Sequence, residues 1–154
     1  MIGKGNKGGI IGYVGGTNWN DTSITNISNC YNISNIKENA GGIVGVQGPI
    51  AKGNYLYVTN SYNIGNIEGK NIGNILGKII TNTRTETKTE FTNVYYPLEP
   101  AIGIGSLTSG EATLKTKTEI KSQAFVDLLN SNIGTNTDWK KWRMGSDGYP
   151  TFVD

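Results

Sequence analysis

The sequence predicts an all-β fold, a parallel β-helix or β-solenoid of about three coils, closed by a short C-terminal α-helix and an aromatic cap. Three observations carry this expectation. Glycine supplies 22 of 154 residues, about twice the ordinary share of roughly 7%. It stands beside 19 Asn, 19 Ile and 17 Thr, so turn formers are mixed with strand formers throughout. Two short motifs also recur at a shared spacing, and the recurrence stops at Pro97 and Pro100, after which the apolar pattern turns helical.

The first motif, Gly8-Gly9-Ile10-Ile11-Gly12, returns as Gly41-Gly42-Ile43-Val44-Gly45 and as Gly73-Asn74-Ile75-Leu76-Gly77, at offsets of 33 and 32 residues. It reads as a very short apolar strand bracketed by residues free to take positive φ, with turns at Gly9, Gly12, Gly42, Gly45, Gly73 and Gly77. On that reading Gly45→Val costs solubility or cooperative unfolding. The second motif, Asn29-Cys30-Tyr31-Asn32-Ile33-Ser34-Asn35-Ile36, returns from Asn60 to Ile67 at an offset of 31, and a partial copy opens at Asn93-Val94-Tyr95-Tyr96. Tyr31 and Ile33 share a face by period two, as do Tyr62 and Ile64. Ile36 and Ile67 fall out of that phase, so a bend at Ser34-Asn35 and Gly65-Asn66 must turn them inward. No unit can bury its own apolar face. Stacking at about 4.8 Å pairs the strands in parallel and sets Ile on Ile, Tyr on Tyr and Asn on Asn. A β-sandwich of hairpins also fits the strand content, but gives no reason for the period.

The Gly-apolar-apolar-Gly cores Gly9 to Gly12, Gly42 to Gly45 and Asn74 to Gly77, with the Asn-x-Tyr-Asn segments between them, resemble the GLUG repeat. The resemblance covers about residues 5 to 96, divided as coils 8–40, 41–72 and 73–96. It implies a large bacterial surface or secreted protein, of the adhesin-like kind or of the kind found in non-catalytic parts of streptococcal immunoglobulin A peptidases. It carries no catalytic residues over. The Ile-, Asn- and Lys-rich vocabulary suggests a Gram-positive, clostridial-type source, and the repeat-like opening after Met1 suggests a piece of a larger polypeptide.

Residues 97–117 read as a linker and 118–154 as a capping segment. Thr118 is the expected N-cap, with Glu119 at the positive helix end. Ile120, Ala124, Phe125, Leu128 and Leu129 mark the apolar face of a helix ending between Asn130 and Gly134. Trp139, Trp142, Tyr149, Pro150 and Phe152 follow, covering the last coil so that its edge does not recruit another strand.

Composition excludes several chemistries. The chain has no histidine and a single cysteine, which removes imidazole mechanisms, internal disulfides and thiolate metal clusters. Fourteen Lys+Arg against 12 Asp+Glu is too balanced to imply nucleic acid. No apolar run approaches the roughly 18 residues of a membrane span, and no signal peptide opens the chain. No cofactor or metal is expected.

The candidate sites are few. Trp139 and Trp142 could stack on a sugar ring or pin the cap to the coils. Asn18-Trp19-Asn20-Asp21 offers oxygen ligands without a carboxylate cluster, and reads more simply as a solvated loop. Cys30 aligns with Ser61 and lacks a basic partner, so a packed or exposed thiol is expected. Thr81, Thr83, Thr85, Thr87 and Thr89 alternate with Asn82, Arg84, Glu86, Lys88 and Glu90, which reads as a strand with a threonine face and a charged face, or a hairpin arm, in a solvated insertion edged with charge. Glu38, Glu68 and Lys70 stand isolated near turns. Together these features point to a non-catalytic structural or adhesive module, extracellular or on the cell surface, presenting a solenoid face to a host protein or glycan. The alternative is a carbohydrate-binding or lyase-like β-helix acting on polysaccharide.

Overall fold

The computed structural model of the chain describes residues 5–38, 40–69, 72–97 and 112–154. Its backbone winds through repeated circuits of short strands. The first contains β1 (Lys7–Gly8), β2 (Ile11–Val14), β3 (Thr22–Ser28), β4 (Tyr31–Asn32) and β5 (Ile36–Lys37). The second contains β6 (Ala40–Gly41), β7 (Val44–Gln47), β8 (Gly53–Asn63) and β9 (Ile67–Glu68), and the third contains β10 (Leu76–Ile79) and β11 (Glu86–Pro97). Equivalent strands pair in parallel: β1 with β6, β7 with β2 on one side and β10 on the other, β8 with β3 on one side and β11 on the other, and β5 with β9. Tyr31 lies beside Tyr62, Asn32 beside Asn63 and Ile36 beside Ile67. The fold is a β-solenoid.

The interior follows from alternation along the long strands. Ile27, Val58 and Phe91 point inward from successive circuits, and Ile43, Val44, Leu56, Ile75 and Leu76 are fully buried with them. Each such side chain contributes about 1.5–3 kcal/mol relative to exposure. Ile36 and Ile67 join Ala40 in a separate small core. They are turned inward by Asx turns, in which Asn32 Oδ1 accepts from Ser34 N and Asn63 Oδ1 from Gly65 N. Asn32 Nδ2 also donates to Asn63 Oδ1 at 2.7 Å, and Asn63 Nδ2 to Asn74 Oδ1 at 3.4 Å, so the asparagines form a buried ladder between circuits.

The corner glycines work differently from the expectation. Gly9, Gly12, Gly42, Gly45 and Gly77 do not adopt positive φ; among the described residues the glycines that do are Gly5, Gly69, Gly134 and Gly148. Glycine is required at the corner because backbone passes over backbone. A Cβ on Gly45 would fall well inside contact distance of the Lys7 and Gly12 carbonyl oxygens, and one on Gly77 would lie 2.6 Å from that of Gly45. Gly73 bridges Gly41 in the same column and donates its N–H to Ala40 O. At each corner one carbonyl serves two donors: Ile43 O accepts from Ile10 and Ile11, and Ile75 O from Ile43 and Val44.

Among the described non-glycine residues, left-handed backbone falls on Glu38 (φ 66°) and, once per circuit, on asparagine, at Asn29 (φ 51°), Asn60 (φ 45°) and Asn93 (φ 55°). Each of these asparagines breaks the inward–outward alternation at the same rung position, so the pattern is reversed beyond it while the register between circuits is kept. Ahead of Asn60, Leu56 and Val58 face inward. Beyond it, Ser61 and Asn63 are buried while Tyr62 faces the flank of the solenoid, as do Tyr31 and Tyr95.

Residues 98–111, most of the expected linker, lie outside the described residues. Beyond them β12 (Thr113–Lys115) adds in parallel to Tyr95–Pro97 as a partial fourth rung. Two helices follow rather than one: α1 (Lys117–Ile120) and α2 (Gln123–Ile133). The first N-cap is Thr116, not Thr118, because Thr116 and Glu119 form a reciprocal capping box. The backbone N–H of Thr116 lowers the Glu119 pKa. Ser122 caps α2 and separates it from α1, accepting from Phe125 N at 3.2 Å. The buried face of α2 is Phe125, Val126, Leu129 and Ile133; Ala124 and Leu128, expected on it, face solvent. A hairpin of β13 (Trp142–Met144) and β14 (Pro150–Phe152) completes the chain.

Among the described residues this segment lies along the flank, bonded to three circuits. Asn29 Nδ2 donates to Lys140 O, Asn60 Nδ2 to Leu129 O, and Asn132 Nδ2 to the Tyr95 hydroxyl. The threonine-rich stretch does form an alternating strand, but from Glu86 onward it belongs to the main sheet and is not a solvated insertion. Thr87 and Thr89 belong to β11, which pairs with β8 from Glu86 onward, and Thr89 Oγ1 donates to the buried Gln47 side chain. The inward threonines of this strand meet a polar patch of Gln47 and Asn54. Nor are the carboxylates isolated: Glu38 pairs with Lys7 at 3.4 Å and Glu68 with Lys37 at 3.2 Å across circuits. Lys70 lies outside the described residues.

Two expectations follow. Gly45→Ala destabilises by about 1–3 kcal/mol through overpacking alone, read as a lowered urea midpoint. Asn60→Ala is more destabilising than Asn60→Gly by about 1 kcal/mol, since both lose the side chain but only glycine keeps left-handed backbone without strain.

Candidate functional site

Tyr31 and Tyr62 stack on the flank with ring centroids 5.5 Å apart and planes 14° from parallel. Tyr95 extends the column, edge-on to Phe125 at 5.1 Å. Trp142 sits 5.8 Å from Tyr31, 5.7 Å from Tyr62 and 4.4 Å from Phe152. The tyrosine pair therefore does stack, and its role is to receive the C-terminal segment. Tyr62 is fully buried and donates its hydroxyl to Pro150 O; burial pushes its pKa far up.

Trp142 is not a ligand platform. It is 3% exposed, and its indole N–H donates to Asn29 Oδ1 at 2.8 Å. Packing claims it because β13 turns it toward the tyrosine column. Trp139, three residues earlier, is half-buried against the same cluster and lines a shallow recess of about 200 Å³ with Asn29 and Phe152. The two tryptophans thus share no open face.

Cys30 occupies the place of Ser61 and makes the same bond: its Sγ donates to Ser28 O, as Ser61 Oγ donates to Thr59 O. Burial raises the thiol pKa, which disfavours the reactive thiolate. In the 18–21 loop, Asn18 Oδ1 is used locally, accepting from Asn20 N at 3.0 Å. Among the described residues no three His, Cys, Asp or Glu side chains are grouped to hold a metal ion, and no helix is long and apolar enough to cross a membrane.

Two surfaces have the geometry to meet a partner. One is the outward face of the β3–β8–β11 sheet. Tyr55 and Tyr57 lie two residues apart on its central strand, flanked by Ile24 and Asn26 on one neighbour and Lys88 and Glu90 on the other. Ile24 is 61% exposed. Tyr55 donates to Glu86 Oε2 at 3.0 Å, the main cause of its raised pKa, and the Lys88 ammonium lies 5.6 Å from the Tyr57 ring centre. The other is a cleft of about 300 Å³ between Tyr31–Ile33 and the 145–149 loop of the hairpin. Sequence reading missed both. The Tyr55/Tyr57 pair becomes visible only when Gly53–Asn63 is recognised as one long strand, and the cleft joins residues more than a hundred positions apart.

Two measurements check this arrangement. In single-tryptophan variants, acrylamide quenches Trp19, which is 49% exposed, and spares Trp142; Trp142→Ala costs about 3–5 kcal/mol. Iodoacetamide at pH 8 alkylates Cys30 at least about tenfold more slowly in the folded protein than in urea, because the raised pKa keeps the thiol protonated.

No family model matches the chain, and no curated protein matches it. Among solved structures it resembles a crystal structure described as "a putative immunoglobulin A1 protease from Bacteroides ovatus", with a TM-score of 0.54 and 19% sequence identity over 94% of this chain. The chain spans about half of that protein, 52% of its length. The likeness is one of fold: a parallel-strand solenoid with a short C-terminal helix and a buried aromatic cluster.

Proposed function

We propose that this domain is a non-catalytic structural and adhesive module of an exported bacterial protein, presenting a flat solenoid face to a host macromolecule. The observation that carries the reading is the β3–β8–β11 face. Parallel rungs in register hold Tyr55 and Tyr57 side by side on a rigid surface, with Ile24 and Lys88 at their edges. Tyrosine pairs on a rigid support suit recognition, because a large amphipathic area is offered at small entropic cost. The resemblance of the glycine and asparagine motifs to GLUG repeats supports a surface or secreted setting. So does the fold likeness to part of a chain described as an immunoglobulin A1 protease.

The test is binding of the purified domain to immobilised extracellular-matrix proteins, mucins and immunoglobulin A. Binding to one of them, weakened roughly tenfold or more by the Tyr55→Ala/Tyr57→Ala double variant with an unchanged melting temperature, is the expected outcome. Binding unaffected by the double variant, or retention of none of these proteins, overturns the reading.

A further inference from the structure

The cleft beside Tyr31 differs from the β3–β8–β11 face in being concave. One wall is the rim of the tyrosine column, Tyr31 and Ile33; the other is the 145–149 loop with the Tyr149 ring. Tyr31 is half-buried and Ile33 is 49% exposed, so the first wall offers apolar surface. Polar groups of both senses surround it. The Tyr31 hydroxyl and Thr151 Oγ1 share one hydrogen bond of 3.0 Å, which leaves lone pairs on both oxygens and one hydroxyl proton unused. Arg143 uses Nε on Phe152 O and one terminal nitrogen on the fully exposed Asp154 carboxylate, which keeps further guanidinium N–H groups for a ligand. Asp147 spends Oδ1 on the Tyr149 backbone N–H, fixing the loop, and its Oδ2 remains. Ser146 adds an exposed hydroxyl.

The loop is held from behind. Lys121 of the helical segment places its ammonium 4.4 Å from the Tyr149 ring centre, and Gly145 N donates to Tyr149 O at 2.8 Å. Tyr62, beneath the cleft, ties the hairpin to the solenoid through Pro150 O. The site is therefore set on rigid elements before any ligand arrives, which lowers the entropic cost of binding.

We propose that this cleft binds a single pyranose unit of a glycan. A sugar ring presents an apolar C–H face and a girdle of hydroxyls that both donate and accept. The cleft meets the first with Tyr31 and Ile33, and the second with acceptors on Asp147 and donors on Arg143. A volume of about 300 Å³ is at the small end of ligand cavities, suited to one ring rather than a buried chain. An apolar ligand would leave Asp147 and Arg143 desolvated without partners, and a simple anion would face the Asp147 carboxylate. The proposal names a second contact surface for the module proposed above, and it does not depend on the Tyr55/Tyr57 face.

The experiment is a titration of the ¹⁵N-labelled protein with the methyl pyranosides of glucose, galactose, mannose and N-acetylglucosamine, followed by amide shifts. The expected result is saturable shifts with at least one of them, confined to Ser146, Asp147, Tyr149 and Thr151 and their neighbours. Asp147→Asn, which keeps the turn acceptor but removes the charge, and Arg143→Gln should each raise the Kd roughly tenfold. A thermal unfolding curve unchanged in both variants separates binding from folding. Absence of saturable shifts with all four sugars overturns the proposal, as do shifts centred on Tyr55 and Tyr57, or affinity unchanged in both variants. Any of these leaves the adhesive reading standing, because that reading is decided by the Tyr55→Ala/Tyr57→Ala variant against macromolecules.

Discussion

The structure hangs on a left-handed asparagine repeated once per circuit. At Asn29, Asn60 and Asn93 the backbone takes positive φ, and the break this makes in the alternation reverses which side chains face the interior. Without it, strict alternation from Leu56 and Val58 would carry Tyr62 into the core and leave Ser61 on the flank. Asn29 and Asn60 then use their side chains to join circuits and to hold the C-terminal segment. Asn60 Nδ2 donates both to Asn29 Oδ1 at 2.9 Å and to Leu129 O at 3.2 Å. Backbone conformation and side-chain bonding thus come from one residue type, and asparagine is the non-glycine residue best suited to supply both.

Much of the solenoid could be read from the letters because its determinants are periodic. Tyr31 and Tyr62, Asn32 and Asn63, Ile36 and Ile67 align in space as they align in sequence, since parallel stacking without offset maps one onto the other. The corner glycines were located correctly but for a different reason. Their constraint is the approach of neighbouring backbone, a property of three-dimensional packing that a single strand of text does not carry. The threonine-rich stretch alternates as a strand does, but its letters do not assign it to the main sheet because its inward neighbours are polar. Thr89 meets Gln47 instead of a leucine, so hydrophobic periodicity gave no signal there.

The two candidate surfaces were less legible still. Trp139 and Trp142 stand out in the sequence because tryptophan is rare and carries chemistry, yet three residues of separation place one at a rim and the other inside an aromatic cluster. The Tyr55/Tyr57 face depends on strand length, and the cleft depends on where a hairpin lands against the first circuit. Contacts such as Tyr31 to Thr151, 120 positions apart, arise from the docking of two segments with no shared pattern.

A solenoid held only by stacking is a row of neighbours, each circuit knowing only the next. Here the C-terminal segment ties Asn29, Asn60 and Tyr95 to one rigid strap through Lys140, Leu129 and Asn132. The strap turns a row into a truss. A load applied at the C-terminus is met first by the β13–β14 hairpin and its bonds to separate circuits, which share the force and give way together. The sheets behind are then spared being peeled rung by rung.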